Sequence, residues 1–141
     1  MRNLLPFGRA GVRREGTDVV VITWGAMVQR SIVAAQQAEK DNLSVAVIDL
    51  RTIRPLDIGS VVRSVRKTST CVVVDQSWSF GSPGSELAAQ VHKHCFDDLD
   101  NFVHRVHSDD VPTPYSSKLE QEYLPNVRKI CEAVRAATYR A

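Results

Sequence analysis

Three short runs in this chain are β-branched and apolar almost without a break: "DVVVITW" at 18–24, "SVAVIDL" at 44–50 and "TCVVVD" at 70–75. A strand with one wet face alternates apolar and polar residues, so a run without that alternation must be covered on both faces. Each run is followed by a stretch with helical spacing. Strands alternating with helices give a parallel sheet with helices on either side. The expectation is an α/β fold, three-layer α/β/α, with a largely parallel, possibly mixed, sheet of about five strands.

The helical stretches are marked by their stripes and stops. Val28, Ile32 and Ala35, widened by Met27, Ala34 and Ala38, predict a helix over about 26–40, and "DN" at 41–42 ends it. Pro55 disfavours helix in the residue before it, and Asp57 is a good N-cap for a helix whose apolar face is Ile58, Val61, Val62 and Val65. A third helix runs over about 84–95, with Leu87, Val91 and Cys95 inward. "FVHRV" at 102–106 reads as a fourth strand, and "VPTPY" as extended loop. The last helix starts near Pro125 and presents Val127, Ile130, Cys131 and Val134. Residues 1–16 read as an irregular arm from an interdomain linker, and 17–141 as one domain, which is what 141 residues can fill.

The formal charge of +2 gives no reason to expect a nucleic-acid partner. No apolar stretch approaches the roughly 20 residues that span a bilayer, so no membrane segment is expected, and the start carries no apolar core of a signal peptide. Cys71, Cys95 and Cys131 are far apart and lie in apolar segments, so they read as small buried thiols in a reducing intracellular compartment.

The candidate chemistry is sparse. "FGSPGSE" puts Gly81 and Gly84 between a strand and a helix, a place where free N–H groups can hold an anion. It is not GxGxxG, P-loop or GxSxG, and it reads equally as a tight corner with Pro83 opening the helix and Glu86 near its positive end. His92 and His94 are two apart on a helix, and His104 and His107 three apart on an extended segment, so neither pair converges on a metal. Between 97 and 122 lie Asp97, Asp98, Asp100, Asp109, Asp110, Glu120 and Glu122, against Arg105 and Lys118 alone. If their loops gather at one end of the sheet, that end is acidic, and it is either a solvated surface or a docking site for a basic partner. No catalytic constellation is complete, and catalytic, cofactor-binding and metal residues are expected to be absent.

The order of segments nevertheless carries a resemblance. "PFGRAGVRREGTDVVVITWGAMV", "VIDLRTIRPLD", "SVRKTSTCVVVD", "GSELAAQV", "FDDLDNFVHRV" and "DVPTPYSSKLEQEYLP" resemble the C-terminal domain of the β subunit of 2-oxo acid dehydrogenase E1 components, nearest the pyruvate dehydrogenase type. The resemblance implies an α2β2 heterotetrameric oxidoreductase using thiamine diphosphate and magnesium, both held by domains outside this segment. It implies E1 α, a second E1 β and the E2 subunit-binding domain as partners. Asp100 in "FDDLDNF" matches the family's docking aspartate, with Asp97, Asp98, Asp109 and Asp110 as a wider negative field, though "NF" stands where the family has "AP". "FGSPGSE" is also one residue longer than the family's loop, which forms a corner and part of a subunit surface. The branched-chain enzymes, a transketolase-like enzyme and a stand-alone protein-binding module are the alternatives.

Overall fold

In the computed structural model, which describes residues 4–139, the apolar runs become neighbours. The strands are β1 (Gly11–Arg14), β2 (Val19–Thr23), β3 (Val45–Asp49), β4 (Cys71–Val74) and β5 (His104–Val106). They form one sheet in the order β1-β3-β2-β4-β5. β2 pairs in parallel with β3 (Val19↔Val45) and with β4 (Val20↔Cys71), and β4 pairs in parallel with β5 (Val72↔His104). β1 alone is antiparallel, with Gly11 opposite Asp49. Every residue of β2, β3 and β4 is buried, and Val73 has no exposed surface.

The helices are α1 (Met27–Ala38), α2 (Ile58–Thr68), α3 (Pro83–Cys95), α4 (Ser117–Tyr123) and α5 (Val127–Ala137). Strand alternation decides the two cores. Val19, Val21, Val45, Val47, Val72 and Val74 meet α1 and α5 through Met27, Ala34, Ile130 and Val134. Val20, Ile22, Ile48, Cys71 and Val73 meet α2 and α3 through Val61, Val65, Leu87 and Val91. The three-layer mixed sheet is therefore as expected.

The helix starts follow the sequence. The Asp57 carboxylate accepts from Ser60 N–H at 3.1 Å. Ser82 caps α3 by accepting from Ser85 N–H at 3.1 Å, with Pro83 in the first turn. Asn126, directly after Pro125, caps α5 by accepting from Lys129 N–H at 2.9 Å.

Two elements depart from the sequence reading. Within the segment read as an irregular arm, residues 11–14 form β1, and residues 1–3 lie outside the described residues. The arm is tied down by side chains of the 51–57 loop. Gly8 N–H donates to Thr52 Oγ1 at 2.9 Å, and Ala10 N–H donates to Asp57 Oδ2 at 2.9 Å. α4 was not expected: its seven residues are exposed except for Tyr123, so no apolar stripe announces it. Its N-cap is Ser116, which makes no side-chain capping bond. The three thiols are free and buried, and burial pushes the Cys71, Cys95 and Cys131 thiols up. Among the described residues no helix is long and apolar enough to cross a membrane.

Candidate functional site

β4 ends at Val74, and its hydrogen-bond ladder runs one residue further, because Asp75 N–H donates to Val106 O at 2.8 Å. Asp75 is 3% exposed. A carboxylate buried this deeply must spend its lone pairs on donors, and it does. Oδ2 accepts from Gly84 N–H at 2.8 Å, and Oδ1 accepts from Ser77 N–H at 2.9 Å. The α3 N-terminus, where an external anion would sit, is thus occupied by the chain's own carboxylate. A Cβ at Gly84 would stand 2.8 Å from Asp75 Oδ2, so only glycine fits there. Gly81 turns the loop at φ +67°. The glycine-rich loop is a corner, and Asp75 is the residue that closes it.

What this corner presents is apolar. Phe80 is 94% exposed and Trp78 48%. Trp78 Nε1–H donates to Tyr123 Oη at 2.9 Å, and Thr113 Oγ1 donates to the same oxygen at 3.3 Å, so α4 and the 109–116 loop are pinned beside the corner. Val111, Tyr115 and Leu119 are exposed on those segments. Further along the same end, Phe7 and Ile53 are exposed, with Gly8 packed on Pro55. Exposed apolar side chains thus recur on segments along the C-terminal ends of the strands, and a rim of such residues is the kind of surface that marks contacts.

The five aspartates do not share one end. Asp100 N–H donates to Ser69 O, just before β4, at 2.8 Å; Ser108 N–H donates to Ser77 O, just after β4, at 3.0 Å. β5 runs parallel to β4, so Asp97, Asp98 and Asp100 lie at the N-terminal end of the sheet, and Asp109 and Asp110 at the C-terminal end. The single acidic end considered from the sequence does not form. Cations from elsewhere thin the field further. Asp98 pairs with Arg66 Nε at 3.1 Å, Asp109 with Lys129 Nζ at 3.5 Å and Glu122 with Arg128 at 3.5 Å. Asp97, Asp100 and Asp110 are exposed. Asp100 lines a polar cleft of about 470 Å³ with Asp18, Thr70 and Tyr139.

The histidines stay apart. His92 Nδ1 lies 2.8 Å from Ala88 O and its Nε2 lies 3.4 Å from Val103 N, so the ring is held within the fold. The His104 ring stacks on Phe102 with centroids 4.1 Å apart, and burial pushes its pKa down. Among the described residues no three His, Cys, Asp or Glu side chains converge as a metal site.

Sequence reasoning missed Asp75, whose only sequence signal is an acidic residue ending an apolar run next to glycines. It also missed Tyr123, which had none.

Known proteins resemble this chain over most of its length. The family described as transketolase, C-terminal domain, matches residues 8–130. Pyruvate dehydrogenase E1 component subunit beta of Rickettsia bellii is 42% identical over 135 residues, which are 96% of this chain and 42% of that protein. 2-oxoisovalerate dehydrogenase subunit beta of Bacillus subtilis is 39% identical over 133 residues, 94% of this chain and 41% of the relative. Among solved structures, a split gene transketolase in an inactive β4 tetramer superposes with a TM-score of 0.79 at 25% identity, covering 96% of this chain and 43% of that one. The chain spans less than half the length of each of these proteins.

Proposed function

The chain belongs to the transketolase C-terminal domain family, and from that premise we propose that it is the C-terminal domain of an E1 β subunit in a thiamine-diphosphate-dependent 2-oxo acid dehydrogenase, pyruvate the favoured substrate. Its part in that enzyme is assembly with E1 α and a second E1 β, and docking of the E2 subunit-binding domain. The observation that carries this reading is the apolar rim around Trp78 and Phe80, held out by a corner whose own anion position is filled by Asp75. The identities with β subunits of two such enzymes support it.

The residues here do not fit the cofactor. A diphosphate would need free amides at the α3 N-terminus, and Gly84 N–H is already bonded to Asp75. Magnesium would need a set of oxygen ligands, and no acidic triad is assembled among the described residues. Thiamine diphosphate and magnesium therefore belong, in this reading, to the rest of the enzyme, and no catalytic step is assigned to this chain. Docking is assigned to Asp100, with Asp97 and Asp98 at the same end. Asp109 and Asp110 are left to add only a distant field.

Two measurements test this reading. Thiamine diphosphate with magnesium should leave the melting temperature of the chain unchanged, because a ligand stabilises only what it binds; a saturable rise would overturn the assignment. In the reconstituted enzyme, Asp100→Ala should weaken E2-domain binding by about 2 kcal/mol through faster dissociation. Asp97→Asn should mainly slow association, an effect that fades with salt. Surface plasmon resonance showing an unchanged Asp100→Ala complex would return Asp100 to the ordinary surface.

A further inference from the structure

Three grooves on the surface mix charges, Arg54 with Glu86, Arg30 with Glu122 and Arg105 with Asp109. The cleft of about 470 Å³ beside Asp100 does not. Asp18 and Asp100 line it, and no described lysine, arginine or histidine does. Two carboxylates without a counter-charge favour a cation over an anion.

The carboxylates are not alone there. Val20 N–H donates to Thr70 O at 3.0 Å, so Thr70 extends β4 backwards. Strand alternation then puts its side chain on the face of Val72, the face that α5 covers, and the end of α5 lines the same cleft. Thr70 is 5% exposed, and its hydroxyl has no partner among the described residues. A hydroxyl held this deep without a partner costs stability, and here it is an unused acceptor on the lining. Asp18 spends Oδ2 on Ser44 N–H at 2.7 Å and keeps Oδ1. The Asp100 carboxylate has no partner among the described residues. Tyr139 Oη–H donates to Asp100 O at 3.1 Å, which holds an aromatic ring on the lining as well.

Three acceptors from separate segments and an aromatic ring suit a guanidinium better than an ammonium. A guanidinium offers five N–H donors in one plane and stacks on rings, whereas an ammonium is a compact, strongly hydrated point charge.

We propose that this cleft receives the guanidinium of one arginine of the docking partner, with Asp18 and Thr70 as acceptors beside Asp100. The proposal rests on the docking reading and makes Asp18 and Thr70 the residues that set its specificity.

Surface plasmon resonance of the reconstituted enzyme with the E2 subunit-binding domain separates the two. Thr70→Val removes a hydroxyl that bonds nothing in the fold, so it should not lower the melting temperature, yet it should speed dissociation about fivefold. Asp18→Asn keeps an oxygen for Ser44 N–H and should speed dissociation about tenfold. Replacing the domain's arginines by lysine one at a time should find one whose loss weakens the wild-type complex about tenfold and the Thr70→Val complex only about twofold, because both changes remove the same contact. Unchanged dissociation in both Thr70→Val and Asp18→Asn would overturn the proposal; if Asp100→Ala still weakened the complex, docking at Asp100 would stand without it. Arginine replacements that all weaken the wild-type and Thr70→Val complexes equally would overturn it too.

Discussion

The two ends of the sheet treat carboxylates in opposite ways. At the C-terminal ends of the strands, Asp57 and Asp75 each accept from a backbone N–H at a helix start, those of Ser60 and Gly84. At the N-terminal ends, Asp97 and Asp100 are exposed, and Asp98 meets the side chain of Arg66. Chain direction explains the contrast. The helix after a parallel strand begins near that strand's C-terminal end, bringing free N–H groups and the positive end of its dipole. It finishes at the other end, with carbonyls and the negative pole. A carboxylate is stabilised at the first end and left to water or a cation at the second. The bases of the last turns, Arg66 and Lys67 on α2 and Arg135 on α5, complement that second end. Three carboxylates depart from this pattern: Asp18, at the N-terminal end, accepts from the loop amide of Ser44 at 2.7 Å, while Asp109 and Asp110 are exposed at the C-terminal end, Asp109 meeting Lys129 Nζ at 3.5 Å.

The comparison can be broken at several points. Val73→Asp tests the strand both ends share. It would place an unpaired charge where no surface is exposed and should cost at least about 4 kcal/mol. Near-normal urea unfolding of that variant would mean the sheet centre is misplaced. Asp75→Ala attacks the C-terminal end directly. Gly84 and Ser77 would lose their acceptor, for a cost of about 3 kcal/mol. A cost below about 1 kcal/mol would mean that water replaces the carboxylate and the corner is not closed by it.

Asp57 sharpens the electrostatic side. Burial alone would raise its carboxyl, but hydrogen bonds from Ala10 N–H, the Ser60 hydroxyl and Ser60 N–H, with the Arg63 charge, hold it below its ordinary value. A carboxyl lowered on folding contributes stability that is complete above its unfolded pKa, near 4, and is lost as the pH falls through the lower folded value. Asp57→Asn keeps one acceptor oxygen but loses the one that takes Ala10 N–H and the Ser60 hydroxyl, so it should cost about 1 kcal/mol at pH 6 and less at pH 3, where wild type has itself given up part of that stability. Parallel stability curves from pH 6 to pH 3 would remove the titration from the account. Asp100→Ala has the smallest expected effect on folding, within about 0.5 kcal/mol, because its carboxylate is exposed. A large destabilisation there would erase the difference between the two ends.

Much of this was legible in the residues. The runs around Val20, Val47 and Val73 declared buried strands because both faces were apolar, and Asp57, Pro83 and Pro125 marked helix starts because capping is a matter of a few adjacent residues. The aspartates between 97 and 110 were legible as charge but not as place. Three residues of β5 carry the chain from one end of the sheet to the other, so Asp100 and Asp109, nine apart in sequence, part company.

The sequence by itself left β1 and α4 unread, but it determined four of the strands, β2 to β5, that helices alternate with them, and hence that the sheet is mainly parallel. These follow from periodicity within windows of ten residues or so. Only the tertiary structure decided that β2 lies at the centre and that β1 turns back along β3. It also decided that Asp75 reaches Gly84 and that Tyr123 holds Trp78. An apolar strand can hydrogen-bond to any other, so the pattern of one strand does not name its neighbour. The neighbours are chosen when α1 and α5 on one face, and α2 and α3 on the other, bury both sides of the sheet at once.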